Sequence, residues 1–457
     1  MSQNKYTPDY TSMWWWDNYA QEIRIELRQT LDEGKDVEKY RDLVEAVSKL
    51  ENNWEKNRIA DQIFSLFQKA PMREGYPYQE PDELEAIRAL CKPIELPQRD
   101  IPDDETLRKK MEGAWLGRIC GCLLGKPLEG IRTDELHALL KKTGNWPMHR
   151  YMLSTDLTEE NVKGNRFTVH RNTCGDTVTR GPVDDDTNYT ALAQFLIEEH
   201  GRNFTPSDVA GVWQTQQPRS AYCTAERVAY LNFTRGYQPP LSGSYQNVFR
   251  EYIGAQIRGD YFGYICPGDP HTAAEYGWRD ACISHVKNGI YGEMYIAAMN
   301  ARAAVESSAD AIEDIIRCGM AEIPATSRLY ESIQHVLDLY HQGVSADDCF
   351  ADIHATWNEA DGYDWCHTIS NAMIVTAALL YGGGDFGKSM CMAVQACFDT
   401  DCNGATVGSI VGMLVGSDAI GEEWTGPVNG CVETSLLPVG VLHVDKAVEM
   451  TMKHIKA

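Results

Sequence analysis

Two runs of glycine residues, each with a glycine at every fourth position, constrain the fold of this 457-residue chain more than any other feature. Residues at this spacing lie along one face of a helix, so a neighbouring helix can approach at backbone distance. Each glycine inside a helix costs about 1 kcal/mol relative to alanine, so four together require a packing reason. We therefore expect two buried helices that pack closely through their glycine faces, against each other or against other core helices. The runs are Gly113, Gly117, Gly121 and Gly125, and Gly404, Gly408, Gly412 and Gly416.

Acidic residues accompany both glycine runs, and a third acidic cluster lies between them in the sequence. Buried carboxylates repel one another strongly unless a cation is present, and Mg²⁺, Mn²⁺ and Ca²⁺ take oxygen ligands. The pattern predicts one buried site for a hard divalent metal on a helical scaffold. For the middle cluster alone, capping of a surface helix without any metal is the alternative. The clusters are Glu129, then Asp184, Asp185 and Asp186, and then Asp399 with Asp401.

In order and helical context, these motifs resemble the ADP-ribosylglycohydrolase family over about residues 108 to 420. In that family a first helix ends in a Gly-x-Pro-x-Glu turn, a Thr-Asp-Asp-Thr turn follows, and a late Asp-Thr-Asp-Thr turn precedes a Gly/Ala-rich helix. The corresponding segments here are Gly125–Glu129, Asp184–Thr187 and Asp399–Cys402. The resemblance implies a mostly α, all-helical catalytic domain around a central acidic metal site.

The resemblance also implies the ligands of a centre for one or two divalent ions, which we expect to be Mg²⁺, or else Mn²⁺ or Ca²⁺. Two positions depart from the family pattern. Asp184 stands where the family has a threonine, and Cys402 stands where it has a hydroxyl residue. Sulfur is a soft ligand that Mg²⁺ does not prefer. The expected metal ligands are Asp184, Asp185, Asp186, Asp399 and Asp401.

The family has a glutamate beside its metals, and Glu129 matches it. That match implies a role in proton transfer or substrate orientation, and a surface position after Pro127 is the alternative. Together with the metal ligands Asp185 and Asp401, Glu129 is expected to be catalytic.

Two further segments resemble family motifs that contact substrate. Gly254–Arg258 is similar to a Gly-Ala-Met-Arg loop, and Ser284-His285 is similar to a Thr-His pair. A guanidinium suits a phosphate, a carboxylate or a pair of sugar hydroxyls. Polar residues near the motifs complete the expected substrate-binding set, which is Arg258, His285, Asn403 and His367.

Two of these assignments have structural alternatives. Arg258 has Asp260 and Asp280 nearby in the sequence, so a plain ion pair is as well supported as substrate binding. His285 fits a hydrogen-bonded core histidine as well as an active-site wall.

The resemblance implies a metal-dependent hydrolase that cleaves the N- or O-glycosidic bond of a ribosyl or other furanosyl substrate. Either an ADP-ribosyl group or a small glycoside fits, and a catalytically inactive binding or structural protein of the same fold is the alternative. The net charge of −24 opposes phosphate backbones and anionic lipid, so we expect neither nucleic-acid nor membrane partners. Nothing in the sequence indicates the oligomeric state.

Residues 1–104 are expected to form a helical appendage, and 105–457 the catalytic domain, with insertions near 131–183 and 215–270. Apolar spacing predicts two helices within residues 12–70, one through Ile23 and Leu27 and one through Leu43, Val47 and Leu50. No stretch shows convincing strand alternation. The run Trp14-Trp15-Trp16 fits packing on the main domain or a lid over the active site.

Cysteine usage and the first residues indicate the compartment. The fourteen cysteines are scattered without a Cys-x-x-Cys pair, which is typical of reduced core thiols. The start MSQNKYTPDYTS has neither a basic nor an apolar leader region, so we expect a cytoplasmic protein without a secretory signal. The apolar run at 405–415 is too short to span a bilayer, which needs about 20 residues.

Overall fold

The computed structural model describes residues 8–457, which fold almost entirely into helices. The expectation about a leader falls partly on residues 1–7, which lie outside the described part. Within the described residues no helix has both the length and the apolar character needed to cross a membrane. The α-helices are α1 Ile23–Asp32, α2 Arg41–Ser48, α3 Trp54–Lys69, α4 Leu84–Leu90, α5 Asp104–Gly125, α6 Thr133–Lys142, α7 Asp185–His200, α8 Pro206–Gln216, α9 Thr224–Thr234, α10 Leu241–Ser244, α11 Asp260–Tyr264, α12 Pro270–Ala281, α13 Asn288–Ala303, α14 Ile312–Ala321, α15 Arg328–His341, α16 Ala346–Thr356, α17 Gly362–Cys366, α18 Thr368–Gly382, α19 Phe386–Gln395, α20 Thr400–Val415, α21 Glu422–Thr425 and α22 Val444–Ile455.

A small β-ribbon near the C-terminus is the exception to the helical architecture. Strands β1 (Cys431–Glu433) and β2 (Val441–His443) pair antiparallel, and Gly181 forms a single parallel bridge to Val432. The expectation of no strands was wrong here, because three-residue strands are too short to show an alternating pattern. The mostly α class is confirmed.

The two glycine-faced helices, α5 and α20, pack against each other in antiparallel orientation. A Cβ atom added to Gly117 would overlap the carbonyl oxygen of Gly408, so the two backbones touch. The predicted close packing is confirmed, and its register brings the end of α5 to the start of α20. The facing pairs are Gly113 with Gly412, Gly117 with Gly408, Gly121 with Gly404, and Gly125 with Thr400.

Residues 12–70 hold three α-helices where two were predicted. The unpredicted helix is α3, which Asn53 caps by accepting a hydrogen bond from the Lys56 backbone N–H at 2.9 Å. The predicted face of α2 was also wrong, because Leu43 and Leu50 are exposed. Helix α2 has only eight residues, so its one buried stripe is short. The small core of this region contains Ala20, Ile23, Leu27, Val37, Val44, Val47, Ala60, Ile63, Phe67 and Ala70.

The N-terminal region rests on the rest of the chain through buried polar contacts as well as aromatic ones. The Arg250 guanidinium pairs with Glu26 at 2.9 Å and with Glu33 at 2.6 Å. Trp16 is half-buried against the main core, whereas Trp14 is exposed and Trp15 meets Phe249 with ring centroids 6.1 Å apart. Packing therefore accounts for Trp16, and a lid role for Trp14 and Trp15 stays a prediction. The division at residue 104 and the two insertions also stay predictions.

Candidate metal centre

Three helix ends meet where the acidic motifs lie. The antiparallel register of α5 and α20 places the Thr400 hydroxyl so that it donates to the Gly125 carbonyl at 3.0 Å. A short 3₁₀ turn, Lys126–Leu128, then leads from α5 to Glu129. Asp184 caps the start of α7 by accepting a hydrogen bond from the Asp186 N–H at 2.9 Å.

A buried arginine of α5 fixes α7 against the glycine helices. The Arg118 guanidinium donates to Asp186 Oδ1 at 2.9 Å, to the Asp186 carbonyl at 2.9 Å and to Asp260 Oδ2 at 2.9 Å. Both Arg118 and Asp186 are fully buried. The sequence analysis did not single out Arg118. The signal was present, because a lone charge in the middle of an apolar glycine helix needs an acidic partner.

Carboxylates from α7 and α20 converge with a thiol of α20. Asp186, Asp401 and Cys402 each offer a ligand atom, and these atoms all lie within 4.8 Å of one another. Among the hydrogen bonds of the described residues, Asp186 Oδ2 and Asp401 Oδ1 have no partner although both atoms are buried. Buried carboxylate oxygens without donors are unfavourable unless a cation neutralises them. The residues therefore fit a divalent metal ion.

Asp184 differs from its neighbours because a lysine already neutralises it. Its Oδ2 accepts a short hydrogen bond from the Lys126 ammonium, and its Oδ1 accepts the Asp186 N–H. Burial opposes the charged carboxylate, but Lys126 outweighs that effect and lowers the pKa of Asp184. The sequence analysis missed Lys126, although it stands inside the Gly-Lys-Pro-Leu-Glu motif.

Burial and the close approach of the other carboxyl groups in the cluster make their ionised forms unfavourable, which raises their pKa values. Burial, followed by the charge of Asp184, raises the pKa of Asp185 well above its usual range. Burial and the charge of Asp401 do the same to the pKa of Asp399. A cation at the centre would reverse both effects, because it stabilises the ionised forms.

Glu129 is the carboxylate of the centre that faces solvent. The charge of Asp401, followed by burial and the charge of Asp184, raises the pKa of Glu129 well above its usual range. The residue as a whole is exposed, so water screens part of this effect. Glu129 therefore lies close enough to Asp401 and Asp184 for their charges to act on it, and its catalytic role stays a prediction.

A sequence profile of ADP-ribosylglycohydrolases matches residues 103–449, which is most of the chain. The chain belongs to the ADP-ribosylglycohydrolase family. Members of this family are generally hydrolases, so a glycohydrolase-type function is supported. Among solved structures 46 chains match. One of them, an "ADP-ribosylglycohydrolase-related protein complex", is 15% identical, covers 77% of this chain and 99% of its own, and has a TM-score of 0.49. No curated protein matches.

Asn403 lies next to the acidic cluster. The Asn371 Oδ1 accepts hydrogen bonds from the Asn403 side chain at 2.8 Å and from the Asp399 N–H at 3.2 Å. The buried Asn403 Oδ1 has no partner among the described residues. Asn371, which was not ranked as a site residue, thus orients both Asp399 and Asn403.

Arg258 and His285 lie together in a buried ion cluster. The Arg258 guanidinium pairs with Asp280 at 2.6 Å and with Glu226 through a shorter contact, and its centre lies 5.0 Å from the Trp213 ring. The His285 Nδ1 lies 2.8 Å from the Ser284 hydroxyl. Burial, followed by the charge of Arg258, lowers the pKa of His285 well below its usual range. The contacts favour the ion-pair and core-histidine alternatives over direct substrate binding.

His367 caps a helix behind the acidic cluster. Its Nδ1 accepts the Ile369 N–H at 3.1 Å at the start of α18, and its ring stacks on Trp357 with centroids 5.0 Å apart. It is fully buried. His367 therefore supports the wall that carries Asn371, and substrate contact by its ring stays a prediction.

Proposed function

We propose that this protein is a metal-dependent hydrolase that cleaves an N- or O-glycosidic bond at a ribosyl or other furanosyl group. The observation that carries the proposal is the pair of buried, unpartnered carboxylate oxygens on Asp186 and Asp401, with the exposed Glu129 beside them. Membership of the ADP-ribosylglycohydrolase family supports the same reaction class.

Asp186 and Asp401 would hold the ion, with Asp185 and Asp399 adjoining and Asp184 shared with Lys126. When bound, a divalent ion at such a site orients sugar hydroxyls and makes water more acidic. Arg118 and Asn371 position the ligands, since they hold Asp186 and Asp399 in place.

Glu129 is proposed as the group that moves the proton. Glycosidic cleavage needs one carboxyl group that protonates the leaving oxygen or nitrogen, or that takes a proton from water. Its solvent-facing position leaves room for a substrate. In the metal-free protein the charges of Asp401 and Asp184 favour the protonated form of Glu129, and a bound cation would weaken that effect.

The substrate is proposed to be an ADP-ribosyl group or a small furanosyl glycoside. The family acts on ADP-ribosylated substrates, which supports the first. The guanidinium of Arg258, the most prominent in the sequence motifs, is held by three carboxylates, which leaves the small glycoside equally open as a substrate. All fourteen cysteines are unpaired, and we propose a reducing compartment such as the cytoplasm on that basis.

A substrate panel tests the proposal. Purified protein is stripped of metal, reloaded with Mg²⁺, Mn²⁺ or Zn²⁺, and assayed with ADP-ribosyl-arginine, ADP-ribosyl-serine and nucleosides. We expect metal-dependent release of a ribosyl product, and Glu129→Gln as the matched inactive control. Absence of hydrolysis with every metal, together with intact binding of ADP-ribose, would favour a binding protein of the same fold.

A further inference from the structure

Four buried or half-buried cysteines surround the acidic cluster, and each lies against a different part of it. Cys122 lies within 4.8 Å of Asp184 and Asp186, and Cys402 lies within 4.8 Å of Asp186 and Asp401. Two others come from outside the glycine helices. Cys366 Sγ is 3.9 Å from Asp399 Oδ2, and Cys223 lies close enough to Asp185 for that charge to raise the pKa of its thiol, after burial.

Cys402 belongs to the main hydrophobic core, but its sulfur also has two carboxylates beside it. The buried Cys120 shows what core packing alone looks like, since its thiol donates to the Trp424 carbonyl at 3.3 Å. The Cys402 thiol makes no hydrogen bond among the described residues, but neither do the thiols of the buried Cys318 and Cys391, so its acidic neighbours are what set Cys402 apart. Its sulfur lies next to the two carboxylates that each carry an unpartnered buried oxygen.

The donor set and its spacing fit one ion bound by oxygen and sulfur. Zinc binds its ligands tetrahedrally, at about 2.3 Å from thiolate sulfur and about 2.0–2.2 Å from carboxylate oxygen, so two of its ligand atoms are about 3.5 Å apart. The 4.8 Å limit that encloses Asp186, Asp401 and Cys402 is compatible with that geometry. Sulfur beside oxygen favours borderline ions over Mg²⁺.

Two groups of residues could hold the ion: Asp186 with Asp401 and Cys402, or Asp184 and Asp186 with Cys122. The position of Lys126 favours the first group. The Lys126 ammonium already bonds Asp184, so one positive charge is present on that side. Among the described residues Asp401 forms no ion pair, although the charge of Lys126 also acts on it, and Asp186 pairs with Arg118, which pairs with Asp260 as well.

We propose that the centre binds a borderline divalent ion of the Zn²⁺ class through Asp186, Asp401 and the Cys402 thiolate, and that Mg²⁺ is not its preferred metal. The inference rests on the proposed metal-dependent function and specifies the cofactor for it. On binding, the thiol releases its proton to solvent and the sulfur lone pair forms the bond to the ion.

Cobalt spectroscopy tests the sulfur ligand directly, because Co²⁺ bound to thiolate shows a sulfur-to-metal charge-transfer band. Metal-free protein is titrated with Co²⁺ without oxygen. We expect the band in wild type and in the control Cys120→Ser, and its loss in Cys402→Thr, which restores the family's hydroxyl. We also expect Cys402→Thr to weaken Co²⁺ binding by at least the roughly 10- to 100-fold that losing a hydrogen-bond partner of a metal ligand costs. A large excess of Mg²⁺ should leave the wild-type band in place.

Alkylation of wild-type protein gives a second readout that needs no variant to fold. Zn²⁺ should protect Cys402 from iodoacetamide, as read by peptide mass spectrometry, whereas Mg²⁺ should not. Cobalt binding without the band, or equal protection by Mg²⁺, would overturn the inference. If Mg²⁺ then supports hydrolysis, the proposed function survives and only the sulfur ligand fails. If no divalent ion binds at all, both fail.

Discussion

Glu129 differs from the neighbouring carboxylates because it faces solvent, whereas Asp186 is fully buried and Asp401 is 4% exposed. This difference in exposure assigns metal binding and proton transfer to different carboxylates. Buried carboxylates with unpartnered oxygens suit metal binding, and an accessible carboxyl group beside them suits proton transfer to a substrate. The assignment of Glu129 therefore depends on its exposure as well as on its motif.

Glu129→Gln should reduce turnover by about 10²–10⁴-fold, because glutamine keeps the shape of the side chain but cannot transfer a proton. Metal content and melting temperature should stay close to wild type, since Glu129 is outside the buried ligand set. Steady-state kinetics with metal-loaded protein measures turnover. Elemental analysis measures the metal content, and thermal unfolding measures the melting temperature. Wild-type turnover in the variant would remove the proton-transfer role.

Asp401→Asn should lose metal and activity together, and it should change stability in two opposite ways. Burial, followed by repulsion from Asp184, raises the pKa of Asp401, so removing this charge should raise the melting temperature of the metal-free protein. It should also abolish the extra stabilisation that metal gives wild type, because ligand binding to the folded state raises stability. Thermal melts with and without metal check both effects.

The exposed Asp418, which pairs with Lys109 on the surface, provides the matched control. Asp418→Asn should leave the metal-dependent shift unchanged. Equal metal-induced stabilisation of Asp401→Asn and wild type would contradict the ligand assignment.

How well the site could be predicted from the sequence depends on whether a residue's partners are local. The acidic motifs stand out because clustered charge is costly and their spacing to the glycine runs is visible. An ion pair of Arg258 was already an open alternative because Asp280 is nearby in the sequence, but its partner Glu226 is 32 residues away in the chain. Arg118 needs Asp186 and Asp260, which only the fold brings to it. Such long-range pairs leave no periodic signal.

At the scale of elements, the contact between α5 and α20 sets the geometry of the whole centre. Thr400 meets Gly125 only because each pair of facing glycines lets the backbones touch. A side chain anywhere along this contact would separate the helices and move Asp401 away from Asp186. The glycine runs are thus part of the site although none of them bears a functional group.

Gly117→Ala should destabilise the protein by roughly 1–3 kcal/mol or more, because its Cβ would overlap the Gly408 carbonyl and rigid backbone cannot yield easily. Gly211→Ala is the control, since Gly211 lies in α8 with open space around its Cβ position. That change should be neutral or stabilise by up to about 1 kcal/mol through helix propensity. Chemical denaturation measures both, and equal stability of the two variants would contradict the packing.

Sequence patterns predicted the two glycine-faced helices but missed several other elements. The helical spacing of the glycines was sufficient to predict α5 and α20, because each of these helices is long and buried. Helix α3 was missed although Asn53 marks its start, and the β-ribbon was missed because its strands have three residues each. Short elements take their structure from the surface on which they pack, so local patterns carry little information about them.

At the scale of the whole molecule, a series of hydrogen bonds and one aromatic contact connects the N-terminal region to the acidic cluster. Gln29 of α1 donates to Glu251 and accepts from the Tyr363 hydroxyl at 3.3 Å. Tyr363 packs on His367, and the carbonyl of His367 accepts a hydrogen bond from Asn371 at 2.9 Å. Asn371 in turn orients Asp399 and Asn403. The N-terminal region is therefore part of the wall behind the site.

Arg250→Ala tests whether the N-terminal region and the main domain unfold together. Arg250 is buried and pairs with Glu26 and Glu33, so its removal leaves two carboxylates buried without their cation. Breaking a buried pair in this way costs about 3–5 kcal/mol. Arg24→Ala is the control, because its pair with Glu45 is exposed and such pairs contribute about 0–1 kcal/mol. In calorimetry we expect one transition for wild type and both variants, shifted strongly downward only in Arg250→Ala. A separate early transition in Arg250→Ala, with the main transition unmoved, would show that the N-terminal region is an independent unit and that the connection through Gln29 does not stabilise the centre.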